Sequence, residues 1–519
     1  MTDQITLNDV LTELGVPPAE NDRTLTHLTL DSRTIVGGEL FIAMPGVQSD
    51  GRQYITNALA NGATAVLVDD SEGFDLASVV QLASVFIVPG LKNKVGSLAH
   101  CFYHRPSGRL KVMGVTGTNG KTSCCWFMAQ VLQRLGEPCA LMGTVGRGLP
   151  GKLQASLNTT GDVVSLHRYL AQLVAEQVPV LAMEVSSHGL DQGRVNGVVF
   201  QVALFTHISR DHLDYHGTLA EYAAAKARLF SACQYRHAVI GKDDAYADLM
   251  FSSCPPGTDI TAWSLEDTSA DVYLSNITVL PQGFRATIHT PWGEGELNTA
   301  LLGRFNLENL LAVIAALGVQ GYPLAQVLAT IPEISPPPGR MQQCGGDGQP
   351  LVLVDYAHTP DAISSVLSAL REHSQGDGRV VCVYGCGGDR DRGKRPLMTA
   401  AALAGADTVV LTCDNPRTED PEQIFADALA EVNDADRQRI QVIADRSAAI
   451  RAAISEAGTE DMVVIAGKGH ENYQEINGVR HHFDDVEQVQ SVLQLLQTND
   501  EDGNAVVVTP VNVQDGRLA

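Results

Sequence analysis

Residues 110–136 read LKVMGVTGTNGKTSCCWFMAQVLQRLG, and the small polar insert between the two apolar runs decides the architecture. The first run, 111–115, has the composition of a buried strand. The second, 123–135, spaces its apolar side chains as a helix does and stops at Gly136. Between them, Gly117 and Gly120 let the backbone curl with its N–H groups turned inward, as a nest for an anion. A helix beginning near Thr122 adds the positive end of its dipole. Lys121 can then reach β- and γ-phosphates, and the Thr122 hydroxyl can ligate Mg²⁺. The stretch departs from the strict G-x-x-x-x-G-K-[ST] loop, because Val115 stands where the first glycine belongs. Strand, loop and helix in this order predict an α/β domain organised around nucleotide phosphates.

Two more strands of the same kind follow, within VPVLAMEVSS (178–187) and VALFTHIS (202–209). Both end in polar clusters, at the sheet edge where open α/β proteins bind ligands. Glu184 reads either as a strand-end acid or as a Mg²⁺ ligand beside the phosphates. Asp211, His212, Asp214 and His216 crowd one loop, and their spacing fits no closed zinc motif. A helix is expected from about Thr218. Lys226 lies on it among alanines, as a surface lysine or as a buried one with a lowered pKa. Asn306 and Asn309 share one face of the helix expected over 306–317, where they fix a loop or meet a ligand.

Working outward, residues 1–109 hold short strands (TAVLVDD, ASVFIVPG) and form a small domain of their own. Residues 271–301 alternate differently and predict a small antiparallel section. The triple proline in IPEISPPPGRM (331–341) excludes helix and central strand, and marks a domain junction. Beyond it come four strand-then-polar-loop units: PLVLVDYAHTP, VVCVYGCGG, DTVVLTCDNPR and DMVVIAGKGHENY. They predict a second α/β domain with Rossmann-like layering. Asp355, Tyr356 and His358 follow the first and can face a ribose or phosphate. Arg390, Arg392, Lys394 and Arg395 form a basic knot that asks for an anionic ligand. Arg417 sits on a proline-fixed turn, and His470 and Glu471 follow glycines.

The length of 519 residues predicts two to four domains. A formal net charge of -24 argues against a nucleic-acid partner but leaves room for a local anion site. The ten cysteines form no paired C-x-x-C units and read as buried thiols in a reducing compartment. No run has signal or membrane-spanning length, so a cytoplasmic protein is expected. The charged tail, 506–519, is expected to be poorly ordered.

The motifs TGTNGKTS, NTT, EVSSHGL, SRDHLDYHG, GRFNLEN, PPPGRM, DYAHTPD, GCGGDRDRGKRP and DNPRTEDP occur in the order found in the Mur ligases. The chain resembles that family, the ATP-dependent amide-forming enzymes of bacterial peptidoglycan synthesis, from Leu30 to Gln474. The resemblance implies three α/β domains: a UDP-substrate domain (1–109), a central P-loop ATPase-like domain (110–337) and a C-terminal Rossmann-like amino-acid domain (338–505). It implies addition of meso-diaminopimelate to UDP-N-acetylmuramoyl-L-alanyl-D-glutamate through an acyl phosphate, with consequences for cell-wall biogenesis, cell shape and division. An L-lysine-adding Mur ligase or a folylpolyglutamate-synthetase-like ligase is the alternative, and a nucleotide-gated scaffold the non-enzymatic one. By the same resemblance Gly117, Thr118, Asn119, Gly120, Lys121, Thr122, Asn306, Arg340, Asp355 and His358 meet ATP. Leu30, Ser32, Arg33, Asn158, Thr159, Thr160, Ser186, Gln192 and Arg194 meet the UDP-linked dipeptide. Thr122, Glu184, His212 and a carbamylated Lys226 organise Mg²⁺, with Lys121, Glu184, His212 and Lys226 as the catalytic set. Arg390, Asp414, Asn415, Pro416, Arg417, Gly467 and Glu471 meet diaminopimelate, Arg417 reading its distal carboxylate. A monomer without a membrane span is expected.

Overall fold

A computed structural model describes residues 4–501, apart from 47–48, 156–158, 281, 347 and 375–377. The expectations for Asn158 and for the 506–519 tail lie outside the described residues. The chain forms two compact units, one of residues 1–278 and 283–335, the other of residues 279–282 and 336–519.

The first unit contains two sheets. Strands Leu28–Thr29, Leu40–Ala43, Ala65–Asp69 and Val85–Val88 pair in sequence order, all parallel. Their side chains alternate between two cores, as strand geometry requires. Leu40, Ile42, Ala65 and Leu67 pack with helices Leu7–Glu13 and Leu91–Phe102, whereas Phe41, Ala43, Val66 and Val68 pack with Ile55 and Ala58 of helix Ile55–Ala60.

The second sheet has ten strands. Lys111–Thr116 lies in its middle, parallel to Val180–Glu184 on one side and to Val199–Phe205 on the other. Cys139–Gly143, Gln234–Gly241 and Asp259–Ser264 extend the parallel core. The expected antiparallel section is present and forms the edge of this sheet: Phe284–Thr290 pairs antiparallel with Gly293–Thr299, while Val272–Val279 pairs parallel with Asp259–Ser264. Period-2 alternation reported the antiparallel pair but carried no information on which sheet it extends.

Helix Val163–Ala175 joins the two cores of this unit. Val163 and Val164 pack into the N-terminal core, and Leu166, Tyr169, Leu170 and Leu173 into the central one.

In the second unit the sheet order is Gln342–Gly345, Leu351–Asp355, Met462–Ala466, Val380–Cys386, Thr408–Cys413, Ile440–Val442. Pairing is parallel except for the first strand. Helices Arg446–Ser455 and Asp485–Glu501 cover one face through Ala449, Ile450, Ile454, Val489 and Val492. The four expected strand-and-loop units are all present. A hairpin, Tyr473–Ile476 with Val479–His482, was not expected; its turn is Asn477-Gly478, both at positive φ (51° and 76°), the dipeptide that favours a tight hairpin turn.

Candidate active site

The loop between strand Lys111–Thr116 and helix Lys121–Arg134 curls as its glycines require, with φ of 150° at Gly117 and 82° at Gly120. A Cβ on Gly117 would overlap the Thr206 hydroxyl, so only glycine fits there. Thr206 follows strand Val199–Phe205 and its hydroxyl donates to the Asn119 carbonyl at 2.7 Å; the Thr118 N–H donates to the His207 carbonyl at 2.7 Å. Neighbouring strand ends thus hold the loop open. Asn309 reaches it from helix Arg304–Gly318: it accepts from the Cys124 thiol and donates to Asn306 Oδ1 at 3.3 Å, while Asn306 donates to the Leu302 carbonyl at 2.8 Å. Asn306 therefore fixes its own helix start, and Asn309 is the amide nearer the loop.

Lys121 Nζ donates to the Gly117 and Thr118 carbonyls at 2.9 and 2.7 Å. Lys226, from helix Leu219–Ser231, donates to the same Gly117 carbonyl at 2.6 Å. The helix starts where Thr218 and Glu221 form a capping box, close to the expected residue. Lys226 is 1 % exposed, with its ammonium 4.3 Å from the centre of the Tyr222 ring. Burial, and then repulsion from Lys121, push its pKa well down.

Glu184 ends strand Val180–Glu184 and is buried. It accepts from the Thr122 hydroxyl at 2.9 Å, the Thr144 N–H at 2.8 Å and the Thr144 hydroxyl at 3.1 Å. Thr144 was missed from the sequence because nothing in its spacing points to Glu184. His212 begins the short helix Leu213–His216 at φ 53°, its Nε2 3.4 Å from Asp211 Oδ2. Burial by the surrounding chain lowers its pKa, with help from His188, Lys121 and Lys226 and against Asp211. Its ring stands edge-on to His188, which also meets Tyr215 and His216.

These residues fit Mg²⁺. Thr122 and Glu184 offer adjacent hard oxygens at the start of helix Lys121–Arg134, and His212 favours its neutral, ligating form. Among the described residues no cluster of three or more His, Cys, Asp or Glu makes a protein-only cage. Mg²⁺ commonly uses one or two protein oxygens and completes its shell with phosphates and water.

A second group joins Glu184 from the other side. Thr160 donates to the Glu184 carbonyl at 3.0 Å and shares a hydrogen bond with Ser186 Oγ at 3.1 Å. Arg194 donates to the Thr160 carbonyl at 2.9 Å and, through two nitrogens, to Gln192 Oε1. Gln192 meets Tyr215, and Thr159 meets Thr144 at 3.3 Å. Thr159, Thr160, Ser186, Gln192 and Arg194 are thus one network that reaches Glu184 and, through it, Thr122.

In the N-terminal sheet, a cavity of about 620 Å³ is lined by Leu30, Ser32 and Arg33 together with Asp31, Ile42, Met44, Gly46, Ser49, Gly51, Tyr54 and Asn57. Arg33 pairs with Asp31 through Nε at 2.9 Å and Nη2 at 2.8 Å. This pairing holds the Asp31 carboxyl below its ordinary pKa.

The second unit carries the remaining candidates. Asp355 is buried and accepts from the Met341 and Ala357 N–H groups at 2.6 and 2.7 Å; burial raises its pKa against the pull of Arg340. The Arg340 guanidinium stands 4.6 Å from the Tyr356 ring centre, and His358 Nδ1 lies 2.7 Å from the Tyr356 carbonyl.

The loops after strands Val380–Cys386, Thr408–Cys413 and Met462–Ala466 gather at the carboxyl edge of the parallel sheet. Arg417 adopts φ 53°, its N–H bound to the Glu475 carbonyl at 2.9 Å and its own carbonyl to the Asn477 N–H at 2.6 Å. The unexpected hairpin therefore holds its backbone. Arg417 Nη1 donates to the Gly388 carbonyl at 2.7 Å, and a Cβ on Gly388 would collide with the Pro416 carbonyl. Asn415 donates to Glu471 Oε2 at 2.9 Å. Glu471 has a raised pKa, from burial and then from Asp414.

The basic knot is smaller than its sequence suggested. Arg395 is buried and pairs with Glu419 at 2.6 Å and Asp427 at 2.8 Å, and Arg392 pairs with the same two acids. Two of its four cations are neutralised within the fold, and Arg390 stays exposed.

Three family models match the chain: the Mur ligase family catalytic domain over 24–89, the Mur ligase middle domain over 115–317 and the Mur ligase glutamate ligase domain over 339–469. The chain is 49 % identical to a UDP-N-acetylmuramoyl-L-alanyl-D-glutamate--2,6-diaminopimelate ligase of Ectopseudomonas mendocina, across 91 % of this chain and 95 % of the relative. It is 47 % identical to the ligase of that name from Pseudomonas aeruginosa, across 92 % and 96 %. A solved structure of a ligase with that name superposes with a TM-score of 0.70 at 40 % identity, covering 95 % of this chain and 100 % of the other.

Proposed function

This chain belongs to the Mur ligase family, and we propose that it uses ATP to join meso-2,6-diaminopimelate to UDP-N-acetylmuramoyl-L-alanyl-D-glutamate in peptidoglycan precursor synthesis. The observation that carries the reading is the network in which the phosphate loop, Glu184 and the Thr160–Ser186–Arg194 group share hydrogen bonds. A nucleotide and an acidic acceptor would meet there.

A carboxylate is a poor electrophile. Transfer of the γ-phosphoryl group to the terminal glutamate carboxylate gives ADP and an acyl phosphate. The diaminopimelate amine attacks its carbonyl, and the tetrahedral adduct expels phosphate. The loop N–H groups and the start of helix Lys121–Arg134 hold the phosphates, and Lys121 offsets charge between two approaching anions. Arg194 and Ser186 orient the acceptor carboxylate. Mg²⁺, when bound by Thr122, Glu184 and His212, supplies charge neutralisation on the phosphate oxygens. Burial and Lys121 push the Lys226 pKa well down, which favours the nucleophilic amine that CO₂ requires; its carbamate would replace a cation by a carboxylate-like ligand.

We assign the cavity at Leu30, Ser32 and Arg33 to the UDP moiety, and Asn306, Arg340, Asp355 and His358 to the nucleotide. Arg390, Asp414, Asn415, Pro416, Arg417, Gly467 and Glu471 take diaminopimelate: arginines for its carboxylates, Asp414 and Glu471 for its ammonium groups. L-Lysine lacks the distal carboxylate that Arg417 would read. We keep the domain limits 1–109, 110–337 and 338–505, supported by one family model inside each. We propose a monomer in the cytoplasm; the ten free thiols fit a reducing compartment. No helix among the described residues is long and apolar enough to cross a membrane.

The test is phosphate release from ATP with an amino-acid panel, the products read by mass spectrometry. Release should require both the UDP-linked dipeptide and meso-diaminopimelate. Equal use of L-lysine, or release without the dipeptide, would overturn the reading.

A further inference from the structure

Lys468 is fully buried, in the loop after strand Met462–Ala466, with no solvent exposure. Its ammonium lies 3.3 Å from Asn415 Oδ1, 3.4 Å from Glu471 Oε2 and 3.7 Å from Asp414 Oδ1. Asp414 Oδ1 is itself buried and accepts no hydrogen bond among the described residues. Glu471 is tied to the same lysine a second way, its N–H donating to the Lys468 carbonyl at 3.0 Å. One cation therefore stands behind two acids and an amide that sit at the sheet's ligand edge.

We propose that Lys468 is a positioning residue for the amino-acid site: it supplies the counter-charge behind Asp414 and Glu471 and aims Asn415, so that the pair presents negative charge to the substrate's ammonium groups. This role rests on reading the site as the diaminopimelate site. A buried carboxylate, Asp414, and a half-buried one, Glu471, repel each other at this range unless a counter-charge offsets them. Burial and Asp414 already raise the Glu471 pKa, and Lys468 and Asn415 oppose them. The other groups in range are Tyr356 and Tyr473 beside Glu471, Arg446 beside Asp414, Arg340 beside Tyr356, and Arg417, Arg480 and Glu475 beside Tyr473. Without Lys468, Glu471 would take up a proton and lose its hold on an ammonium group.

The experiment compares wild type, Lys468→Met, Lys468→Gln, Lys468→Arg and the double variant Lys468→Met/Glu471→Gln in the phosphate-release assay, between about pH 7 and 9. Lys468→Met should raise the KM for meso-diaminopimelate by at least about 20-fold near neutral pH, the scale of truncating a buried charge partner. The KM values for ATP and the UDP-linked dipeptide should stay within about twofold, and kcat at saturating amino acid within about threefold. The ratio of variant to wild-type KM should shrink as pH rises, because Glu471 then ionises unaided; taking the ratio cancels the substrate's own titration. Lys468→Arg should recover most of the loss, and the double variant should show a ratio that no longer varies with pH. Lys468→Gln keeps a donor without charge and should reproduce the same KM rise and pH trend, which keeps the test open if the Met variant fails to fold. An unchanged amino-acid KM, a parallel rise in all three KM values, a pH-independent ratio in the single variants or no rescue by arginine would each overturn the proposal. Wild type that releases no phosphate with diaminopimelate would instead overturn the reading of the site.

Discussion

Burial beside a second lysine disfavours the charged form of a lysine. At Lys226 both conditions are met, since the side chain is 1 % exposed and its pKa is pushed well down by burial and by Lys121. Lys226→Ala should lower kcat at least about 100-fold, because the group that would complete the metal shell is lost. Added short carboxylates should restore part of the activity, and ¹³C-bicarbonate should label the wild type but not the variant. Turnover like wild type in the variant would refute the role. Arg417 is the other residue whose chemistry can be isolated. Its guanidinium uses one nitrogen on the Gly388 carbonyl, and the hairpin fixes its left-handed backbone. Arg417→Ala should cost about 2–5 kcal/mol of diaminopimelate binding. Wild type should prefer diaminopimelate over L-lysine by at least about 10³-fold in kcat/KM, and the variant should lose most of that preference. A variant that still discriminates would remove Arg417 as the selecting residue.

At the scale of elements, two loops depend on one buried arginine. Arg395 ties the 387–395 loop to the 416–419 loop: it donates to the Gly387 carbonyl at 3.2 Å and pairs with Glu419, which also accepts from the Asp389 N–H at 3.0 Å. Arg395→Ala takes from Glu419 and Asp427 their buried cation and leaves them only the exposed Arg392. It should destabilise the second unit by about 3–5 kcal/mol, the range for breaking a buried pair. Urea unfolding should show this loss, and the surviving folded enzyme should have a raised KM for the amino acid with an unchanged KM for the UDP-linked substrate. This pairing also explains why the basic knot misled from sequence: spacing showed four cations, but the acids that neutralise two of them come from a separate loop and helix, about 25 to 35 positions on. The hairpin was legible in principle through Asn477-Gly478, yet its task of gripping Arg417 was not.

At the scale of the molecule, one helix links the N-terminal and central cores of the first unit, and it carries a buried histidine. His167 Nε2 lies 2.9 Å from the Asn196 carbonyl, its Nδ1 has no hydrogen-bond partner among the described residues, and its ring meets His100 from helix Leu91–Phe102 edge-on. Burial pushes the His167 pKa down to about 4 from an ordinary value of 6.5. A proton on Nδ1 would find no acceptor there. Between these values the unfolded chain binds more protons than the folded one, so stability is full above the ordinary value and falls as pH drops. His167 alone should remove about 2 kcal/mol between roughly pH 7 and 5. His167→Gln, which can keep a donor to Asn196 but does not titrate, should lose less stability over that interval. Urea midpoints at the two pH values check it, and an equal fall in both proteins would exclude His167 as a source of acid sensitivity.

Local patterns determined the elements. Glycines between a strand and a helix specify a curled loop at a helix start, because backbone freedom and a helix start are properties of neighbouring residues. The triple proline stands where the chain passes from the first compact unit to the second. Strand Lys111–Thr116, the cap at Thr218 and the four strand-and-loop units after the junction were all legible this way. Only tertiary structure decided what depends on residues distant in the chain. It brought Thr144 onto Glu184, buried Lys226 under Tyr222, cancelled half the basic knot and added the strands over 272–299 to the central sheet. Burial and charge pairing are sums over neighbours in space, and a chain read one residue at a time does not contain them.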